Sequence, residues 1–143
     1  MSTPAIVIEA RTWVGTPWVH QGRSRAGVDC AGLLVLCARV THGNTFDLAN
    51  YAAQAADETM LALCAQHMIR LPLAQLEPGH VVVIKWGNQR HLAIVGDYAP
   101  APGNLTLIHA SSHYGSVVEH RLDSKWRRLC IAAFALPDSA GAA

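Results

Sequence analysis

Charge of one sign is missing from this sequence: eleven Lys and Arg stand against ten Asp and Glu, a formal net charge of +1 with the histidines neutral. Neutralising nucleic-acid phosphates takes clustered Lys and Arg, so no nucleic-acid partner is expected, and the short groups Arg23/Arg25 and Lys125/Arg127/Arg128 read as solvated surface. No Cys-x-x-Cys pair occurs among the four cysteines. Cys37, Cys64 and Cys130 sit in plain apolar runs, so all four thiols are read as reduced. No apolar run approaches bilayer-spanning length, which argues against membrane insertion. The first residues lack a basic segment followed by a long apolar one, so no secretory signal is expected and synthesis is assigned to the cytoplasm. Repeats and linkers are also missing, and 143 residues at 51% hydrophobic and 15% charged make a single domain, 1–143, with a core that needs neither disulfides nor metal.

What is present centres on Gly27-Val28-Asp29-Cys30-Ala31-Gly32-Leu33-Leu34-Val35-Leu36. Asp29 is a preferred N-cap whose carboxylate can accept the free N–H of Ala31 or Gly32, so a helix starts at Cys30 and stops at Gly43. Leu33 to Leu36 and Val40 leave it no polar face, and it is read as buried. The positive end of its dipole favours thiolate at Cys30, the nucleophilic form. Cysteine is also among the residues most often buried as a small hydrophobe, so Cys30 needs partners before it counts as a nucleophile.

Elsewhere the periodicity places a helix over Thr3 to Val14 and another over Ala53 to Ile69, ended by Leu71-Pro72. Leu76-Glu77-Pro78-Gly79 is a turn, after which β-branched runs predict strands at Val81–Trp86, His91–Tyr98, Leu105–Ala110, Ser116–Leu122 and Leu129–Leu136, with a fraying tail from Pro137. Helices first and strands afterwards make an α+β fold, the helices packed on one side of a meandering sheet of five to six antiparallel strands.

A cysteine nucleophile needs a base and a group to orient that base. If His91–Tyr98 and Leu105–Ala110 form a hairpin, His91 falls nearly opposite His109, within a residue or two of register, at the same end of adjacent strands. That makes His91 the candidate base, His109 its orienter and His113 the reserve. His20 stands on the loop before Cys30, while His42, His67, His80 and His120 read as structural or exposed. A zinc site built from Cys30 and two histidines has no convincing fourth ligand, so no metal and no cofactor are assigned.

Thr16-Pro17-Trp18 followed by Gly22, then Asp29-Cys30-Ala31-Gly32-Leu33, Leu76-Glu77-Pro78-Gly79 before Val81-Val82-Val83, His91-Leu92-Ala93-Ile94-Val95 and Leu107-Ile108-His109-Ala110 resemble, in order and spacing, the NlpC/p60 family of papain-like cysteine peptidases that act on bacterial cell walls. The likeness spans almost the whole chain. It implies a papain-like NlpC-type fold, a Cys–His–His triad carried by Cys30, His91 and His109, and hydrolysis of amide bonds in peptidoglycan stem peptides, often between γ-D-glutamate and a diamino acid. Trp18, Gln21, Asp29 and Ala31 are the residues it assigns to substrate binding and the oxyanion. The short chain without a signal resembles the small members encoded with phage tail genes, which implies tail proteins as partners and a place in the virion.

Four positions depart from the family pattern. Trp18 stands for the usual Tyr, Ala31 for a frequent Ser that helps bind a free amine, Gln21-Gly22 for Gly-Gly, and His80 for an Asp. The rival readings are an N-acetylmuramoyl-L-alanine amidase using the same triad, a tail-assembly or wall-binding component without turnover, and a purely structural Cys30.

Overall fold

Pro4 opens α1 (Ala5–Arg11), shorter than the predicted Thr3–Val14 although Trp13 still buries its ring beyond the helix end. These elements come from a computed structural model that describes residues 2–49, 51 and 58–137. A two-stranded ribbon, β1 (Arg23–Ser24) and β2 (Gly27–Val28), then leads into α2 (Cys30–His42). The ends of α2 are those the sequence predicts: Asp29 accepts from the Gly32 N–H at 2.8 Å, and Gly43 closes the helix in the left-handed region at φ 67°. Ala31 to Val35, Cys37 and Ala38 are buried, but Val40 is 69% exposed, so the last turn runs out to solvent instead of staying inside.

The next helix, α3, covers Thr59–His67; residues 53–57 of the predicted Ala53–Ile69 segment lie outside the described residues. It ends early because Ile69–Leu71 becomes an edge strand, β3, whose backbone pairs with another strand ahead of the extended geometry that Pro72 imposes. The remaining strands follow the β-branched runs closely: β4 (Val81–Trp86), β5 (Gln89–Asp97), β6 (Leu105–Ser111), β7 (Ser116–Arg121) and β8 (Cys130–Ala135). They form a six-stranded antiparallel sheet in the order β3-β8-β4-β5-β6-β7. The meander holds for β4 to β7, and β8 returns to lie between β3 and β4. Beyond Pro137 the predicted tail, residues 138–143, lies outside the described residues.

Both faces of the sheet are covered, which is why Val81-Val82-Val83-Ile84 is apolar without alternation. On one face Val81, Val83, Leu92, Ile94, Ile108 and Phe134 pack against α1, α2 and α3 through Ile6, Leu33, Leu34 and Met60. On the other, Val82, Ile84, Ala93, Val95 and Leu107 pack under Trp126 and Leu129 of a short helix, α4 (Ser124–Leu129). Helices were expected on one side only. The Asp123 side chain accepts from the Trp126 N–H at 3.0 Å, and that cap starts α4 inside a segment too short to show helical periodicity.

Candidate active site

Cys30 stands at the first position of α2 and is half-buried. The helix start leaves N–H groups without helical partners, and those of Cys30 and Ala31 lie against the sulfur, together with the Leu92 N–H of β5. These donors pull the thiol toward ionisation. Burial is the larger influence and, with the Asp29 carboxylate adding to it, pushes Cys30 up to about 12. Burial thus opposes the ionisation that the helix dipole alone favours.

The Leu92 N–H places β5 against the sulfur, and the residue before it is His91. The register Ile94↔Ile108 continues to put His91 two residues out of direct register with His109, a diagonal pair on one face. Their rings meet edge to face, with His91 Nε2 2.7 Å from His109 Nδ1. Burial draws His91 down to about 4 despite the opposing influence of Asp29, and draws His109, only 1% exposed, down to about 2, with His91 and His120 adding to the effect. Both rings are therefore neutral. Among the described residues no hydrogen bond joins Cys30 to His91; the two are linked through the Leu92 peptide. Catalytic hydrogen bonds are often long in the absence of substrate.

The reserve candidate His113 is exposed and lies near Trp86, its ring centroid 6.3 Å away, with no bond to His91. His120, set aside as structural or exposed, does enter the cluster: its Nε2 is 2.9 Å from His109 Nε2. A cleft of about 280 Å³ opens beside these rings, lined by Trp86, His91, His109, His113, Tyr114 and Trp126. Among the described residues no group of three or more His, Cys, Asp or Glu side chains could hold a metal ion.

The four residues assigned to substrate and oxyanion occupy different positions. Ala31 is fully buried, so only its N–H faces the thiol. Asp29, 3% exposed, is saturated by protein donors: Gly32 N–H at 2.8 Å, Arg23 Nη1 at 3.1 Å, Gln21 N–H at 2.7 Å and the Tyr51 hydroxyl at 2.6 Å. A buried carboxylate with that many partners holds the loop to the helix and has no donor for an oxyanion. Gln21 is exposed and is the non-glycine residue in the left-handed region, φ 57°, among the described residues; the glycine commonly found at this place carries no such strain. Trp18 borders the helix-side core, as Cys30 does, and its N–H donates to Gly115 O.

Sequence reasoning missed the support beneath Asp29. Arg23 is not solvated surface: it bonds Asp29, Asp47, Leu48 O and Tyr51. Arg25 lies 3.7 Å over the Trp13 ring. Tyr51 comes from an irregular stretch with no periodic signal to mark it. His120 had a signal in register, since Leu107↔His120 again makes it a diagonal neighbour of His109.

Residues 15–133 match the model of the NlpC/P60 family. The chain is 34% identical over 116 residues to the "Probable endopeptidase NlpC" of Escherichia coli (strain K12), an alignment covering 81% of this chain and 66% of that relative's length. Among solved structures it is similar to the NlpC/p60 domain of the peptidoglycan hydrolase SagA, with a TM-score of 0.65 and 22% identity over 92% of this chain and 97% of that one. The peptidoglycan hydrolase RipB of Mycobacterium tuberculosis gives a TM-score of 0.56 at 17% identity, over 94% of this chain and 64% of its own. With a capped cysteine, a neighbouring strand histidine and a family match across most of its length, the chain belongs to the NlpC/P60 family.

Proposed function

We propose that this protein is a cysteine peptidase that hydrolyses amide bonds in peptidoglycan stem peptides, with Cys30 as nucleophile, His91 as base and His109 orienting His91. The observation that supports the reading is the contact of the α2 start with β5 at Leu92, the residue next in sequence to His91, whose imidazole is bonded to that of His109. The names of the relatives, an endopeptidase and peptidoglycan hydrolases, support the substrate class. The bond assigned is that between γ-D-glutamate and a diamino acid, and the setting assigned is a phage or prophage tail that carries the enzyme from the cytoplasm to the wall.

Burial, which opposes charge on both groups, favours a general-base order of events. A thiol beside a neutral imidazole attacks by general-base catalysis: as Sγ bonds to the substrate carbonyl carbon, its proton passes to His91. The N–H groups of Cys30 and Ala31 receive the oxyanion. The tetrahedral species collapses with proton transfer from His91 to the departing amine, leaving a thioester on Cys30. His91 then takes a proton from a water whose oxygen bonds to the thioester carbon; collapse breaks the C–S bond, the proton returns from His91 to the sulfur, and the carboxylic acid leaves.

Mass spectrometry of defined muropeptides incubated with wild type and with Cys30→Ala tests this. A new fragment made by wild type alone is expected, its mass identifying the bond. Cleavage at the sugar–peptide junction would replace the endopeptidase with an amidase, and no cleavage from an intact, folded protein would refute turnover.

A further inference from the structure

The hydrogen bonds around His109 do not stop at a dyad. His91 Nε2 lies 2.7 Å from His109 Nδ1, His109 Nε2 lies 2.9 Å from His120 Nε2, and His120 Nδ1 lies 3.0 Å from the Arg121 carbonyl oxygen. Three strands each contribute one ring, every histidine meeting the next on a diagonal of the antiparallel ladder. Trp126 covers the outer part, its ring 4.5 Å from His120 and 5.7 Å from His109, and itself stacks on Trp86 at 4.8 Å.

The carbonyl at the end of this chain gives it a direction. A carbonyl oxygen can only accept, so His120 Nδ1 carries the hydrogen and, in the neutral ring, His120 Nε2 is an acceptor. His109 must then donate from Nε2 and accept at Nδ1. His91 in turn must donate from Nε2, which leaves the His91 Nδ1 lone pair without a hydrogen-bond partner among the described residues. The wrong tautomer of a catalytic imidazole cannot act as base, however well the ring is placed. We propose that His120 is a positioning residue which, anchored on Arg121 O and acting through His109, holds His91 in the tautomer whose Nδ1 can take the proton of Cys30. The role assigned to His91 Nδ1 rests on the peptidase reading, whereas the direction of the chain does not. Burial, which keeps His91 and His109 neutral, supports the same arrangement.

The test reads the imidazole nitrogens directly, in full-length protein labelled with ¹⁵N-histidine in mildly alkaline buffer without substrate. Wild type is expected to show Nε2–H tautomers for His91 and His109 and an Nδ1–H tautomer for His120. His120→Phe keeps a flat ring beneath Trp126 but removes the acceptor: His109 is expected to lose its single tautomer, and kcat on a cleaved muropeptide to fall about ten- to a hundredfold with KM within about twofold. His120→Gln, whose side-chain oxygen can accept from His109, is expected to restore both the tautomer and kcat to within about threefold of wild type. An Nδ1–H tautomer at His109 in wild type overturns the proposal without any variant. So does a His120→Phe protein with unchanged nitrogen signals and unchanged kcat. A wild type that shows the predicted tautomers but cleaves no muropeptide refutes the peptidase reading and leaves the chain of histidines standing.

Discussion

Cys30 meets the N–H of the peptide that joins His91 to Leu92, and burial sets how the two residues react. With the thiol pushed up to about 12 and His91 drawn down to about 4, the free protein holds almost no thiolate near neutrality. Iodoacetamide labelling of Cys30, localised by peptide mass spectrometry, is therefore expected to be slow at neutral pH and to climb about tenfold per pH unit through the mildly alkaline range. Fast labelling in mild acid would reveal a preformed thiolate–imidazolium pair instead. On a muropeptide, Cys30→Ala and His91→Ala are each expected to cost at least about a thousandfold in kcat/KM with circular dichroism unchanged, and His109→Ala less. Equal losses for His91→Ala and His109→Ala would make the second histidine as essential as the first.

At the level of elements, the site depends on how closely the loop before α2 approaches the helix start. A Cβ on Gly32 would lie 2.2 Å from the Gly22 carbonyl oxygen, and one on Gly22 would lie 2.3 Å from Gly27 O. Both obstacles are backbone, which cannot swing aside. Gly32→Ala is therefore expected to destabilise by about 1–3 kcal/mol in urea unfolding, although Ala favours a helix interior over Gly. A neutral or stabilising result would mean the loop is not held there. Asp29 is the tie that holds it: its carboxylate gathers the cap, the Gln21 N–H, Arg23 and Tyr51. Asp29→Ala leaves a half-buried guanidinium and a buried hydroxyl without that partner, and a loss of about 3–5 kcal/mol is expected; Asp29→Asn, which keeps an acceptor for the cap, is expected to lose less.

For the molecule as a whole, burial of two neutral histidines couples stability to pH. The unfolded chain takes up these protons near 6.5, whereas folded His91 does so at about 4 and His109 at about 2. Between those values the unfolded state binds more protons, so the contribution is complete above about 6.5 and is lost as pH falls, that of His91 by about 4 and that of His109 on down to about 2. Tm is expected to decline through that window, and Asp97 and Glu119 add their own losses as they take up protons. Those carboxylates lie below their usual range, Asp97 through Thr3 and Arg11, and Glu119 because Arg11 and Thr106 outweigh its burial. A Tm flat from neutrality to pH 4 would contradict the buried, neutral pair.

Local chemistry was readable from the chain itself. A cap before a cysteine, a glycine after an apolar run and unbroken β-branched stretches specify the ends of α2 and the positions of β4 to β7, because capping and strand preference act within a few residues. Register between β5 and β6 was readable to within two residues, enough to join His91 to His109 by their spacing around a loop. Tertiary structure alone decided the rest. It set Tyr51 and Arg23 beneath Asp29, sent α4 to the far face, added His120 to the histidines and packed Cys30 where desolvation opposes the ionisation its helix dipole favours. Each of these depends on what lies across the fold from a residue, and desolvation by distant chain leaves no mark in the neighbouring sequence.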